Sequence, residues 1–161
     1  MRIAGIIKDS VVNGIGIRDV IFTQGCQHHC KGCHNPKTWD IEGGTEVSNA
    51  DIIKALGDSK NDITISGGEP LMQFFQLTAL MADIHEISGK RFWVYTGFKY
   101  EEIPSYMLMT LAKFTDVLVD GRFELDKKDL TLQFRGSSNQ RLIDLPKSFR
   151  ENKIILWEEL Q

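Results

Sequence analysis

Residues Ile17 to Cys33 read IRDVIFTQGCQHHCKGC. The segment from Ile17 to Gln24 is apolar and β-branched, as a strand is, and it runs directly into a loop holding all three cysteines of the chain. A strand that empties into a loop of reactive side chains is the first half of a βα unit, and the sequence downstream repeats that pattern. EVSNADIIKAL (46–56) carries a helix start, with Ser48 as cap, Asp51 three residues later and Val47 placed to staple onto Ile52. DITIS (62–66) is a second strand and ends at GGEP. Met72 to Ser88 sets Leu77, Leu80, Met81, Ile84 and Ile87 on one helical face, with Gly89 as the stop.

Further along, RFWVY (91–95) is a third strand ending at Thr96-Gly97. Pro104 opens a helical pattern carrying Met107, Leu108, Leu111 and Phe114. DVLVDG (116–121) is a fourth strand and RLIDL (141–145) a fifth. FRGSSNQ reads as a turn rather than a domain boundary, so the chain from 1 to 161 is expected to form one domain. Strand, loop and helix in alternation predict an α/β fold with a parallel sheet. A complete eight-unit barrel takes about 250 residues. This shorter chain therefore makes either an open doubly wound sheet or an incomplete barrel of roughly six strands. In both, reactive groups gather at the carboxyl ends of the strands. The cysteine loop, Gly67-Gly68-Glu69, Thr96-Gly97 and Asp120-Gly121 all fall there.

Composition narrows the function classes. A net charge of −3 gives no electrostatic reason to expect nucleic acid or an acidic membrane surface as partner. No apolar run approaches the roughly 20 residues of a membrane-spanning helix. The opening MRIAGIIKDS lacks the features of a signal peptide, and a cytoplasmic protein is expected. Three cysteines cannot pair off completely, which argues against a disulfide framework.

Cys26, Cys30 and Cys33 are spaced C-x3-C-x2-C, and Gly25 and Gly32 relax the backbone so that the sulfurs can turn toward one small inorganic object. Clusters held by protein alone normally take four cysteines. With three, one iron of a cubane lacks a thiolate, and an open coordination position is where a metal site does chemistry. Two other readings compete at this point. His28, His29 or His34 could complete a Cys3His zinc site, or the thiols could carry no metal. Downstream, the adjacent glycines of GGEP let the backbone approach a small polar ligand, with the Glu69 carboxylate beside them.

The pairing of C-x3-C-x2-C after one strand with GGEP after the next resembles the radical S-adenosylmethionine superfamily. Within it, VNGIGIRDVIFTQGC, CHNPKTWD, VYTGF, DVLVDGRFE and FRGSSNQR resemble successive blocks of the glycyl-radical activases of anaerobic ribonucleoside-triphosphate reductase. The resemblance implies an incomplete, roughly six-stranded barrel of parallel βα repeats, open on one side. It implies that Cys26, Cys30 and Cys33 bind three irons of a [4Fe-4S] cluster and that S-adenosylmethionine chelates the fourth. Gly67, Gly68 and Glu69 would hold the cofactor's amino group, and Gly32, Cys33 and His34 would lie along its adenine. Thr96 and Asp120 are candidates for its ribose or carboxylate. One electron from the cluster would split the sulfonium, and the resulting 5′-deoxyadenosyl radical would take hydrogen from a glycine of the reductase.

Many superfamily members carry an aromatic residue before the third cysteine, where this chain has Gly32. The same resemblance implies two partners: the reductase, and a low-potential electron donor such as flavodoxin. An incomplete barrel also leaves an opening through which a glycine loop can enter. A small-molecule substrate, as in carboxy-deazaguanine synthases, is the rival within the superfamily. A non-catalytic zinc module is the rival outside it.

Overall fold

A computed structural model describes residues 1–158. Seven strands form one sheet: β1 (Arg2–Ser10), β2 (Arg18–Thr23), β3 (Thr45–Glu46), β4 (Asp62–Gly67), β5 (Phe92–Tyr95), β6 (Thr115–Asp120) and β7 (Arg141–Asp144). Their spatial order is β3-β1-β2-β4-β5-β6-β7, and the sheet does not close on itself. The four strands β2, β4, β5 and β6 are parallel, as the βα pattern requires. The helices between them are α1 (Asn49–Leu56), α2 (Phe74–Ser88) and α3 (Ser105–Ala112), and α4 (Leu145–Glu151) follows β7.

The expectation of uniformly parallel repeats needs correction at both flanks. β1 runs antiparallel to β2 and to β3, and β7 runs antiparallel to β6. A connection short enough to lack a helix returns a strand antiparallel. The turn from Val11 to Ile17 is such a connection, and the stretch from Gly121 to Gln140 holds no α-helix, only the 3-10 turn Leu125–Lys127. Two boundaries shift as well. Leu145 begins α4 rather than ending a strand, because Pro146 and the Asp144 carboxylate, which accepts from the Lys147 amide at 3.1 Å, start a helix there. Ile87 is 69% exposed although its spacing placed it on the buried face of α2. It lies in the last turn, about 80° round from Leu77, at the edge of the apolar stripe.

Alternation along the strands sorts the core into two faces. Ile21, Ile63, Ile65, Phe92, Val94, Leu118 and Ile143 pack against Ile52, Leu77, Leu80, Met81, Leu111 and Leu145 of the helices. Trp93, Val117 and Val119 point the other way, toward Tyr95, Phe134, Leu142 and Trp157. All four helices thus cover one face, which excludes a doubly wound arrangement. The opposite face is covered only by loops, and the functional cleft forms there.

Candidate active site

The loop from Gly25 to Trp39 is a closed lariat set on the end of β2. Its two stems are zipped by Gly25 N–H to Thr38 O (2.7 Å) and Cys26 N–H to Trp39 O (3.1 Å). Gln24 reaches under it, donating from Nε2 to the carbonyls of Lys37 (3.0 Å) and Asp40 (2.7 Å). The three thiols are half-buried and unpaired. Burial pushes the Cys26 and Cys30 thiols up, while amide N–H groups aimed at the sulfurs pull back: those of His28 and His29 at Cys26, and that of Phe123 at Cys30. The Asn35 amide donates to Cys33 Sγ at 3.4 Å. Amides directed at sulfur are the donors that a metal-bound thiolate needs.

Among the described residues, no three His, Cys, Asp or Glu side chains are gathered closely enough to hold one metal ion. A cluster is larger than a single ion and takes sulfurs spread around it. The half-buried thiols with their N–H donors fit such a group.

Against this loop packs the turn after β4. Gly68 N–H donates to Thr23 O (2.9 Å) and Glu69 N–H to Gly25 O (2.8 Å). A Cβ on Gly68 would collide with the Gly25 carbonyl, and one on Gly67, at φ +106°, with the Thr23 backbone. Gly68 is thus demanded by contact between two loops, and Gly67 by contact between the ends of β4 and β2. The Glu69 carboxylate, fully buried, is shared among three strand ends. Oε1 accepts from Leu71 N–H (3.0 Å) and Thr96 Oγ1 (2.8 Å), while Oε2 accepts from Gly97 N–H (2.8 Å) and meets His28 Nε2 at 2.7 Å.

An open cleft of about 670 Å³ lies on the helix-free face beside the loop. Of the expected cofactor residues, Cys33, His34 and Gly67 line it, alongside Phe22, Ser66, Tyr95, Phe123 and Gln140. Gly32, Gly68, Glu69, Thr96 and Asp120 are not in its lining. Gly32 is covered by Leu125, with which a Cβ would clash at 2.8 Å. Thr96 Oγ1, besides its bond to Glu69, accepts from Phe98 N–H at 3.2 Å. Asp120 is fully buried and accepts from Tyr100 N–H (2.7 Å), Arg141 Nε (3.0 Å) and Arg141 Nη2 (2.5 Å). Both polar side chains are thus hydrogen-bonded within the protein.

Sequence reading missed several participants. His28, which the sequence offers only as a possible fourth zinc ligand, has a side chain only 3% exposed. Gln140 shapes the cleft wall, accepting through Oε1 from Gly136 N–H (2.9 Å) and donating from Nε2 to Gly121 O (3.0 Å). Phe123 lies against His34 with ring centroids 5.0 Å apart. The spacing of FRGSSNQ gave a turn but not its destination. At the base of the helix-free face, Arg18 sits over Trp93 (5.5 Å) and donates to Thr64 Oγ1 and Ile63 O, both at 2.8 Å.

Comparison with known proteins settles the family. Residues 12–143 match a family described as a 4Fe-4S single cluster domain. The anaerobic ribonucleoside-triphosphate reductase-activating protein of Salmonella typhimurium is 41% identical over an alignment of 139 residues that covers 81% of this chain and 90% of that one. The chain belongs to this activating-protein family. The Escherichia coli K12 member is 40% identical with the same coverage, and that of enterobacteria phage T4 is 35% identical, covering 81% of this chain and 86% of its own. Among the described residues no helix is long and apolar enough to cross a membrane.

Proposed function

We propose that this chain is a cytoplasmic radical S-adenosylmethionine enzyme, one domain over 1–161, that installs a glycyl radical on an anaerobic ribonucleoside-triphosphate reductase. The observation that carries the reading is the lariat of Cys26, Cys30 and Cys33, bound by backbone to the Gly67-Gly68-Glu69 turn at the edge of the open cleft. Cys26, Cys30 and Cys33 would hold a [4Fe-4S] cluster with one iron left for S-adenosylmethionine, and the group would supply the electron for reductive cleavage of the sulfonium and so the radical chemistry. The chain's own work is holding and shielding. The amides at the three sulfurs favour the charged thiolates, and Gly67 with Ser66 offers backbone to the cofactor's polar end. His34, backed by Phe123, offers a flat face for adenine. Gly32, Gly68, Glu69, Thr96 and Asp120 act from behind, fixing the loops that meet the cofactor.

The sheet with one helix-free face is read as the incomplete barrel, its inner wall being Phe22, Ser66, Trp93 and Tyr95. Arg18 and Trp93 pack together at the base, with Gly14 against both side chains. The mouth stays open between Val11 and Val12 on one lip and Leu132 and Phe134 on the other. A glycine segment of the reductase would enter there, and a low-potential donor such as flavodoxin would supply the electron. The test is anaerobic reconstitution with iron and sulfide, followed by assay of 5′-deoxyadenosine and of the reductase glycyl radical by electron paramagnetic resonance. Brown protein that forms both products under strong reductant is expected. Protein that binds only zinc, or holds iron without cleaving S-adenosylmethionine, overturns the reading.

A further inference from the structure

We propose that His28 is a positioning residue that holds the cysteine loop in register with the Gly67-Gly68-Glu69 turn, an inference that rests on reading the cleft as the S-adenosylmethionine site. His28 lies midway between Cys26 and Cys30 and grips both halves of the site. Its ring turns inward, where Nε2 meets Glu69 Oε2 at 2.7 Å, with the side chains 3% and 0% exposed. Phe98 packs edge-on against the ring, centroids 4.7 Å apart at 74°, and fixes its plane. Gly97 must be glycine, because a Cβ there would strike the imidazole.

Glu69 passes the hold onward. The same carboxylate takes Thr96 Oγ1, Gly97 N–H and Leu71 N–H. One buried carboxylate therefore joins the cysteine loop after β2, its own turn after β4 and the turn after β5. His28 is the only cysteine-loop side chain bonded to it among the described residues. A buried carboxylate left short of a partner is costly, so the arrangement is held as a unit. The cluster's open iron would project from the loop and the cofactor's amino end would meet the turn. Their separation is set by this tie, and a small error in such a distance is expensive in binding and rate.

The test uses His28→Phe, which keeps the ring packing and loses the bond, and His28→Gln, whose Nε2 can still reach Glu69. In the reconstituted His28→Phe protein, iron content stays at the wild-type level because all three cysteines remain. The KM for S-adenosylmethionine rises by about tenfold or more, the scale seen when the support of a metal ligand is lost. The change that S-adenosylmethionine causes in the paramagnetic resonance spectrum of the reduced cluster shrinks at a concentration saturating the wild type. In the iron-free protein, amides of residues 26–30 and Gly97 exchange hydrogen faster than in the wild type. His28→Gln recovers most of each property.

Wild-type KM and spectral change in His28→Phe overturn the proposal. Loss of iron from His28→Phe also overturns it, because His28 would then serve loop assembly, and so does His28→Gln behaving no better than His28→Phe. A wild-type protein whose cluster spectrum ignores S-adenosylmethionine would fail at the earlier step, removing the reading of the cleft and this proposal with it.

Discussion

Gly68 has its hydrogen side against the Gly25 carbonyl and Thr38 O, so any side chain there must push the cysteine loop away from β4. Backbone on both sides leaves nothing flexible to give. Gly68→Ala is therefore expected to destabilise the fold by about 1–3 kcal/mol, the scale of overpacking, and to lower iron retention along with cofactor binding. Urea unfolding and iron analysis of the anaerobically reconstituted variant check both, and full iron with wild-type stability would contradict the contact. The sequence marks these glycines as a place where backbone meets a small ligand. The structure shows that Gly68 is needed first by another loop, a contact 43 residues apart in sequence that no local pattern announces. His28 was hidden for the same reason: its partner Glu69 lies 41 residues away. The cysteines were legible as a group because their spacing is local.

Elements are legible where one face is apolar and the repeat is regular. β2, β4, β5, β6 and the three connecting helices follow from period and caps: Ser48 Oγ accepts from Asp51 N–H at 3.1 Å, and Gly89 ends α2 in a left-handed conformation. β1 escaped because its residues alternate poorly, with Ala4 and Gly5 in the middle and Ile7 55% exposed. Its pairing is fixed from outside, by β2 and by Gln73, which bonds both the N–H and the carbonyl of Arg2 (2.7 and 2.8 Å). In α2, Leu80 is fully buried between helix and sheet, and Leu80→Ala is expected to cost about 2–5 kcal/mol in urea unfolding.

The end of β7 is secured by charge. Arg141 joins Asp120 to Glu101, and its guanidinium holds the Glu101 carboxyl down from its ordinary 4.5 to about 2. A folded-state value below the unfolded one means that Glu101 adds stability above pH about 4.5 and that this is lost as pH falls toward about 2. Wild type and Glu101→Gln should differ in melting temperature near pH 6, and the gap should narrow progressively over that acid window. A constant gap would show that Arg141 does not act on Glu101 in this way.

At the scale of the whole molecule, the one-sided distribution of helices decides what the protein can act on. The loop-covered face leaves the cleft open beside Cys33 and Gly67. Its mouth carries Val11 and Val12, 66% and 69% exposed, in a turn whose Ile15 and Ile17 are also exposed. Exposed aliphatics gathered at one opening mark a contact surface more than a solvated turn does. The cleft they border is the proposed radical site, and the glycine-bearing segment of the reductase is the occupant that the proposed function assigns to it. Val12→Asp puts a charge on this lip without touching the cysteine loop. Cleavage of S-adenosylmethionine in the absence of the reductase should proceed as in the wild type. Glycyl radical yield at limiting reductase should fall by about tenfold, equivalent to about 1.4 kcal/mol of lost association, and should recover as reductase concentration is raised. If cleavage falls equally, the lip belongs to the cofactor site; if radical yield is unchanged, the segment enters elsewhere.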